Sequence, residues 1–174
     1  MTTKLFEKVK KRSIKWGESN DCTVKALAIA TDIPYEQAHG LLALRGRCYR
    51  KGTSMSNIFD AMKSIGWTAT TIVDKPMVER HERWTGIGGM KMANYYMKES
   101  DTRLIQKMQK QKLFNAKTIK TLADYIPSRG IFLVETASHV LCVRAGKIHD
   151  WTKNRRHRIT QIHRISRIKQ ETTE

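Results

Sequence analysis

Ser19-Asn20-Asp21-Cys22-Thr23-Val24-Lys25-Ala26-Leu27-Ala28-Ile29-Ala30 is a polar run that ends in a cysteine and turns at once into an apolar segment. Asn20 and Asp21 both suit an N-cap, and either choice sets Cys22 in the first helical turn. Unpaired backbone N–H groups and the helix dipole there favour a thiolate, which is the nucleophile that a thiol is not. The helix runs to about Thr31, with Cys22, Ala26 and Ile29 near one side and Val24, Leu27 and Ala28 beside them. Being apolar almost all round, it reads as central and buried. On this stretch alone Cys22 has two readings, a nucleophile or a small buried residue opening a core helix.

Before this stretch, Thr2 to Lys15 patterns as an amphipathic helix with Leu5, Phe6, Val9 and Ser13 on one side, ended by Trp16-Gly17. After it, Pro34 suits a first turn, and Tyr35 to Leu44 reads as a second core helix closed by Arg45-Gly46-Arg47. Gly52-Thr53-Ser54 is a turn with a built-in cap for a third helix carrying Met55, Ile58, Phe59, Met62 and Ile65, stopped by Gly66. Trp67 to Val73 alternates as a strand. Asp74 to Met92 contains Trp84-Thr85-Gly86-Ile87-Gly88-Gly89 without either phosphate-cradle spacing, so a mobile loop is expected. Ala93 to Gln111 suits a basic helix, Thr118 to Ile126 a short one, and Pro127-Ser128-Arg129-Gly130 a tight turn.

The period then changes. Ile131 to Val134 and Val140 to Arg144 are compact strands, and Ala145-Gly146-Lys147 turns the second into Ile148-His149-Asp150-Trp151. Arg158 to Ile168, where Ile159, Ile162, Ile165 and Ile168 recur, suits a twisted strand or a helix equally. Helices first and antiparallel sheet last make an α+β chain, with one layer of each expected.

At 174 residues the chain fits a single domain with an ordinary core. Its three cysteines, Cys22, Cys48 and Cys142, sit at no metal-ligand spacing, which points to a reducing, cytoplasmic setting and to no metal or other cofactor. No secretory leader and no apolar run approaching the ~18 residues of a membrane span is expected. Lys plus Arg number 33 against 16 Asp plus Glu, a net charge of +17. The excess gathers in the segment 1–17, along Lys98 to Lys120, and most of all in 153–174, where Lys153, Arg155, Arg156, Arg158, Arg164, Arg167 and Lys169 are candidate polyanion-binding residues. Nucleic acid or an acidic protein is the partner class that such charge attracts; a merely solvated surface is the alternative.

A thiol at a helix start needs a general base, and a histidine on a strand edge steadied by a carboxylate supplies one. His139 begins a strand, and Asp150 lies one hairpin away. With the turn centred on Gly146, position 139 falls opposite about 152, a diagonal step from Asp150. His149 points to the other face of its strand and reads as a surface or packing residue, unless the register slips by one and exchanges its role with Asp150; Cys142 reads as core, and Cys48 as an exposed or low-pKa loop thiol.

Asn-Asp-Cys opening an apolar helix, Gly130-Ile131-Phe132-Leu133-Val134, Ser138-His139-Val140 and Ile148-His149-Asp150-Trp151 together resemble a papain-like cysteine peptidase, in its short bacteriophage-encoded and bacteriocin-processing forms. The resemblance spans about Asn20 to Trp151. It implies a papain-like fold, N-terminal helices packed on a C-terminal antiparallel sheet, with 74–111 as an insertion. It implies Cys22 as nucleophile, His139 as base and later acid, and Asp150 as the residue orienting the imidazole. The substrate would be a peptide or protein, met in a host cytoplasm or a virion. The chain departs from the family where a glutamine usually precedes the cysteine and helps hold the oxyanion; here Trp16, Gly17, Glu18 and Ser19 stand, and Asn20 is the nearby amide. The same fold serving as a basic binding module with a weak or absent catalytic centre is the second expectation.

Overall fold

The computed structural model of the protein describes residues 2–88 and 99–168. Helix α1 spans Lys4–Lys15, where the Thr3 hydroxyl accepts the Phe6 N–H, and buries Phe6, Val9 and Ser13. Helix α2, Cys22–Thr31, buries every residue from Thr23 to Thr31 except Lys25. Such a helix has no solvent face to offer and sits in the middle of the molecule. It ends at Asp32 in the left-handed conformation, φ 59°, a shape aspartate tolerates better than most residues. Helix α3, Tyr35–Ala43, follows Pro34. Helix α4, Met55–Lys63, is capped by the Ser54 hydroxyl and buries Ile58, Ala61 and Met62.

Strands β1 (Trp67–Asp74), β2 (Ile131–Thr136), β3 (Val140–Arg144), β4 (Lys147–His149) and β5 (Ile159–Arg167) form one sheet in the order β1-β5-β2-β3-β4. Every neighbouring pair is antiparallel. The isoleucine-rich segment thus settles as a strand, β5, inside the sheet. Its spacing of three fits because the ladder to β2 shifts between Glu135 and Thr136, leaving one extra residue on β5. A bulge reverses the alternation of faces, so Ile159 and Ile162 join one core while Ile165 joins the other.

Those two cores lie on opposite faces of the sheet, which corrects the expectation of one helical layer on one sheet. Helices α1 to α4 cover one face, against Leu133, Val140, Cys142 and Ile165. On the other, Phe132, Val134, Leu141, Val143, Ile148, Ile159 and Ile162 are covered by Leu113, Ala116, Ile119 and Leu122. Leu113 lies in the single turn Lys112–Asn115, Ala116 directly follows it, and Ile119 and Leu122 belong to the short helix Ile119–Leu122. The physical reason is visible in β2: Phe132, Leu133 and Val134 run apolar without alternation, and a strand of that kind needs cover on both sides.

The stretch expected as a mobile loop differs as well. Lys75–Gly88 is a helix, α5. The Asp74 carboxylate accepts the Met77 N–H at 2.9 Å and, through its other oxygen, the Gln161 amide at 2.8 Å. Pro76 sits in the first turn, where its missing N–H has no consequence. The cap and the proline start a helix that the glycines downstream concealed. Helix α6, Glu99–Gln109, is the described part of the expected basic helix; the rest of it, the end of the expected loop and Lys169 lie outside the described residues. Among the described residues no helix is long and apolar enough to cross a membrane.

Replacing Asp74 by Ala removes the α5 cap and the tie to β5, and is expected to lower unfolding free energy by about 1–2 kcal/mol. Hydrogen exchange should then accelerate selectively over residues 77–82; slow exchange unchanged there would show that the cap does not hold α5.

Candidate active site

Helix α2 packs along β3, so its first residue lies against the first residues of that strand. Cys22 and His139 face each other across one hollow that Asp150 also lines, with the His139 side chain and the backbone of Val140 and Thr23 near enough to act on the thiol. His139 closes the β2–β3 connection, where its carbonyl accepts the Thr136 N–H at 2.8 Å and the Thr136 hydroxyl at 3.2 Å. The imidazole Nε2 meets Asp150 Oδ2 at 2.8 Å, which leaves Nδ1 for the sulfur. The β3–β4 register pairs Cys142 with His149 and Arg144 with Lys147, the register expected from the turn, and it delivers Asp150 to the histidine.

Asp150 is itself held. Its Oδ2 accepts the Thr152 N–H at 3.1 Å and the Thr152 hydroxyl, and Thr152 is buried. Sequence reasoning passed over Thr152, although Asp-x-Thr is the pattern of an aspartate that bonds the backbone two residues on. The exposed Trp151 ring and the imidazole meet in a T-shaped contact, 5.8 Å between centroids.

Burial alone would raise the Cys22 pKa; the hydrogen bond and charge of His139, with the Val140 and Thr23 backbone, outweigh it and hold the thiol below its ordinary range. Burial alone would lower His139, but the bonds and charges of Asp150 and Cys22 lift it from 6.5 to about 9. The two shifts favour the same state, thiolate beside imidazolium. Cys142, fully buried in the core, is pushed up by that burial, and Cys48 is exposed. Of the two readings of His149, surface or packing, the structure gives packing: it is buried and set between the Thr3 hydroxyl at 2.7 Å and the Arg144 carbonyl at 3.2 Å.

The loop that presents Cys22 is fastened by a network the sequence did not disclose. The Glu18 carboxylate receives both terminal nitrogens of Arg47, at 3.0 and 3.1 Å, the His39 ring at 2.6 Å and the Arg50 N–H at 3.1 Å. Neither the Glu18 nor the Arg47 side chain reaches solvent. Burial would raise the Glu18 pKa, yet Arg47 and His39 hold the carboxyl below its usual range. The Tyr49 hydroxyl donates to the Trp16 and Gly17 carbonyls, and at Gly17 (φ 62°) a Cβ would meet that hydroxyl at 2.9 Å. Only glycine fits there. Nothing local marks Glu18 and Arg47 as partners, since they are far apart in sequence and meet only in the fold.

Asp21 takes the N-cap position but makes no capping bond; its buried carboxylate instead takes the Lys25 ammonium at 2.6 Å and the Tyr35 hydroxyl at 2.7 Å. Asn20 stands at the rim at φ 52°, its amide nitrogen donating to the Arg50 carbonyl at 3.3 Å. It shares a shallow hollow of about 200 Å³ with Cys22, His139 and Asp150. On the other side of the thiol lies a cavity of about 280 Å³ walled by Thr23, Thr53, Met55, Ala137 and Ser138. An extended chain laid over Cys22 therefore has room on both sides.

The basic candidates are spread out. Lys153, Arg155 and Arg156 are exposed in the turn after Trp151, with Arg155 5.8 Å from its ring. Arg158 pairs with Glu79. Arg164 and Arg167 lie over the Phe132 and Trp67 rings, at 5.8 and 4.9 Å. The structure thus brings Cys22, His139 and Asp150 together and leaves the arginines and lysines in separate places. Comparison with models of known protein families gave no match, and neither the curated proteins nor the solved structures gave one.

Asp150→Asn removes the charge that lifts the imidazole, so the His139 pKa is expected to fall from about 9 toward 6.5, read by NMR titration of the ring protons. The sign for stability follows: a raised folded-state pKa contributes fully below 6.5 and is lost as pH climbs through about 9. Wild type should lose stability across that window, and the Asn variant much less. An unchanged His139 titration in the variant would remove Asp150 from the account.

Proposed function

We propose that the chain is a thiol-dependent hydrolase of peptide or isopeptide bonds, built on papain-like packing of a cysteine-bearing helix against an antiparallel sheet that carries the histidine and aspartate. One observation carries this reading: Cys22 shares a hollow with an imidazole whose Nε2 is fixed by a buried, doubly anchored carboxylate. A structural cysteine has no need of that arrangement.

In this reading the Cys22 thiolate attacks a carbonyl carbon, and the carbonyl π electrons move to oxygen to give a tetrahedral oxyanion. Its donors are the Cys22 N–H, which has no partner within α2, and the second amide hydrogen of Asn20, the first being committed to Arg50. The oxyanion collapses, the C–N bond breaks, and imidazolium hands its proton to the departing amine. The thioester is then opened by water, which gives its proton to neutral His139 and releases a carboxylic acid with the thiolate restored. Thr152 acts through Asp150 and is a positioning residue.

Mass-spectrometric analysis of a proteome-derived peptide library incubated with the protein tests this directly. New peptide termini are expected with wild type and none with Cys22→Ala or His139→Ala. Asn20→Ala should lower kcat by on the order of 10². The pH profile of kcat/KM should rise below the ordinary thiol range and fall as His139 loses its proton near 9. A library left intact by wild type would favour a second reading, a basic binding module with this fold. The commitment of the Asn20 amide to Arg50 is the observation that supports it.

A further inference from the structure

Three cavities adjoin one another along one side of the molecule. The exposed Ala137 and Ser138, with Thr136 behind them, wall the cavity beside Cys22 and also wall a second of about 310 Å³ that contains Lys75, Pro76, His157 and Arg158. Lys75, Glu79 and Arg158 continue into a third, about 730 Å³, lined by Val78, Phe114, Lys117 and Tyr125. A chain leaving the thiol across the small Ala137 and Ser138 side chains passes into this trough.

The trough sets three basic side chains, Lys75, Lys117 and Arg158, against two acidic ones, Glu79 and Glu82, and among the described residues the buried base has no acid of its own. Lys75 is only 9% exposed, its ammonium donates to the Ala116 carbonyl, and it stands 5.9 Å from the Phe114 ring. An ammonium has three donors to place, and a buried one is costly without an anion. Among the described residues no carboxylate lies within ion-pair distance of Lys75 or Lys117. The acids nearby are engaged: Glu79 pairs with Arg158, Glu82 accepts the Gln109 amide, and Glu135, at the near cavity, is bonded to His163. Burial, then the charge of Arg158 and less so that of Lys117, hold the Lys75 ammonium below the usual lysine range against the opposing charge of Glu79; a further bound anion would relieve that crowding.

We infer that this trough binds an acidic segment of a peptide, seating a carboxylate against Lys75, Lys117 and Arg158 while the same chain lies over Ala137 and Ser138 toward Cys22. The inference rests on the peptidase reading for its ligand class. It assigns the substrate an aspartate or glutamate a few residues from the scissile bond, on the Ser138 side. Val78, Phe114 and Tyr125 supply the apolar wall that the methylenes of such a residue and its neighbours would cover.

The test uses the full chain with Cys22→Ala and two dye-labelled octapeptides, one carrying two central glutamates and one carrying glutamines in their place, followed by fluorescence anisotropy. The acidic peptide should bind about tenfold more tightly, a difference of about 1.4 kcal/mol. Lys117→Glu and, separately, Arg158→Gln should each erase most of that preference. Lys10→Glu, an equal charge change to Lys117→Glu on the exposed side of α1, should leave it. Equal losses in Lys117→Glu and Lys10→Glu would reduce the preference to overall charge and overturn the site. Displacement of the acidic peptide by a single-stranded oligonucleotide that itself depends on Lys117 and Arg158 would assign the trough to nucleic acid and also overturn it. Cys22 alkylation in the wild-type protein separates this from the peptidase reading. A reactive thiol with no acidic preference defeats the trough alone, and an inert thiol with the preference intact defeats the peptidase reading alone.

Discussion

The burial of α2 against β3 is the contact on which the site depends. A helix apolar on every side has one stable place, the interior, and Leu27, Ala30 and Val24 have no solvent exposure there. Once it lies along β3, its N-terminus must come to rest where β3 begins, so Cys22 meets His139 without any residue being chosen for that meeting alone. Packing fixes the direction of the helix, and the helix end supplies unpaired N–H groups at the sulfur. The hydrogen-bonded shift of both pKa values follows from that proximity.

Two buried polar assemblies refine what packing sets coarsely. On the sheet side, Thr152 holds Asp150 and Asp150 holds the imidazole, with Oδ2 taking all three bonds. On the helix side, Glu18 ties the approach to Cys22 onto the segment containing Arg47 and Arg50. Buried ion pairs contribute little net stability, because desolvation offsets their attraction. What the Glu18 to Arg47 pair contributes is geometry: it pins residues 16–21, which would otherwise be an exposed loop, and so fixes where Asn20 and the Cys22 N–H stand.

Much of this was legible in the sequence for identifiable reasons. The helix opened by Asn20-Asp21 declared itself by unbroken apolarity, and the hairpin register followed from one turn centred on Gly146. Cys22, His139 and Asp150 stood out because each sits at an element boundary with a strong local signal, and the fold brings the three side by side. The second covering layer was not anticipated, because Leu113, Ala116, Ile119 and Leu122 are too scattered to show a period; the evidence lay instead in β2, whose lack of alternation demanded cover on both faces. Helix α5 was hidden by the glycines at its end, although Asp74 and Pro76 marked its start. Glu18 and Arg47 left no trace, since a long-range buried pair has no spacing to read. The basic residues were visible as a charge excess, but only the fold separates Arg164 and Arg167, laid over aromatic rings, from Lys75 and Lys117, which line a cavity.

Pairing of a Cys22 thiolate with a His139 imidazolium is the central claim, and pH-resolved alkylation of the native protein measures it most directly. A limiting thiol probe with mass-spectrometric readout compares Cys22 with Cys48 and Cys142 in one sample. Cys22 is expected to be labelled first and to react well below pH 8, and His139→Ala to move its reactivity up into the ordinary thiol range of about 8.5. A Cys22 no faster than Cys48 below pH 8, or one indifferent to His139→Ala, would contradict the pairing.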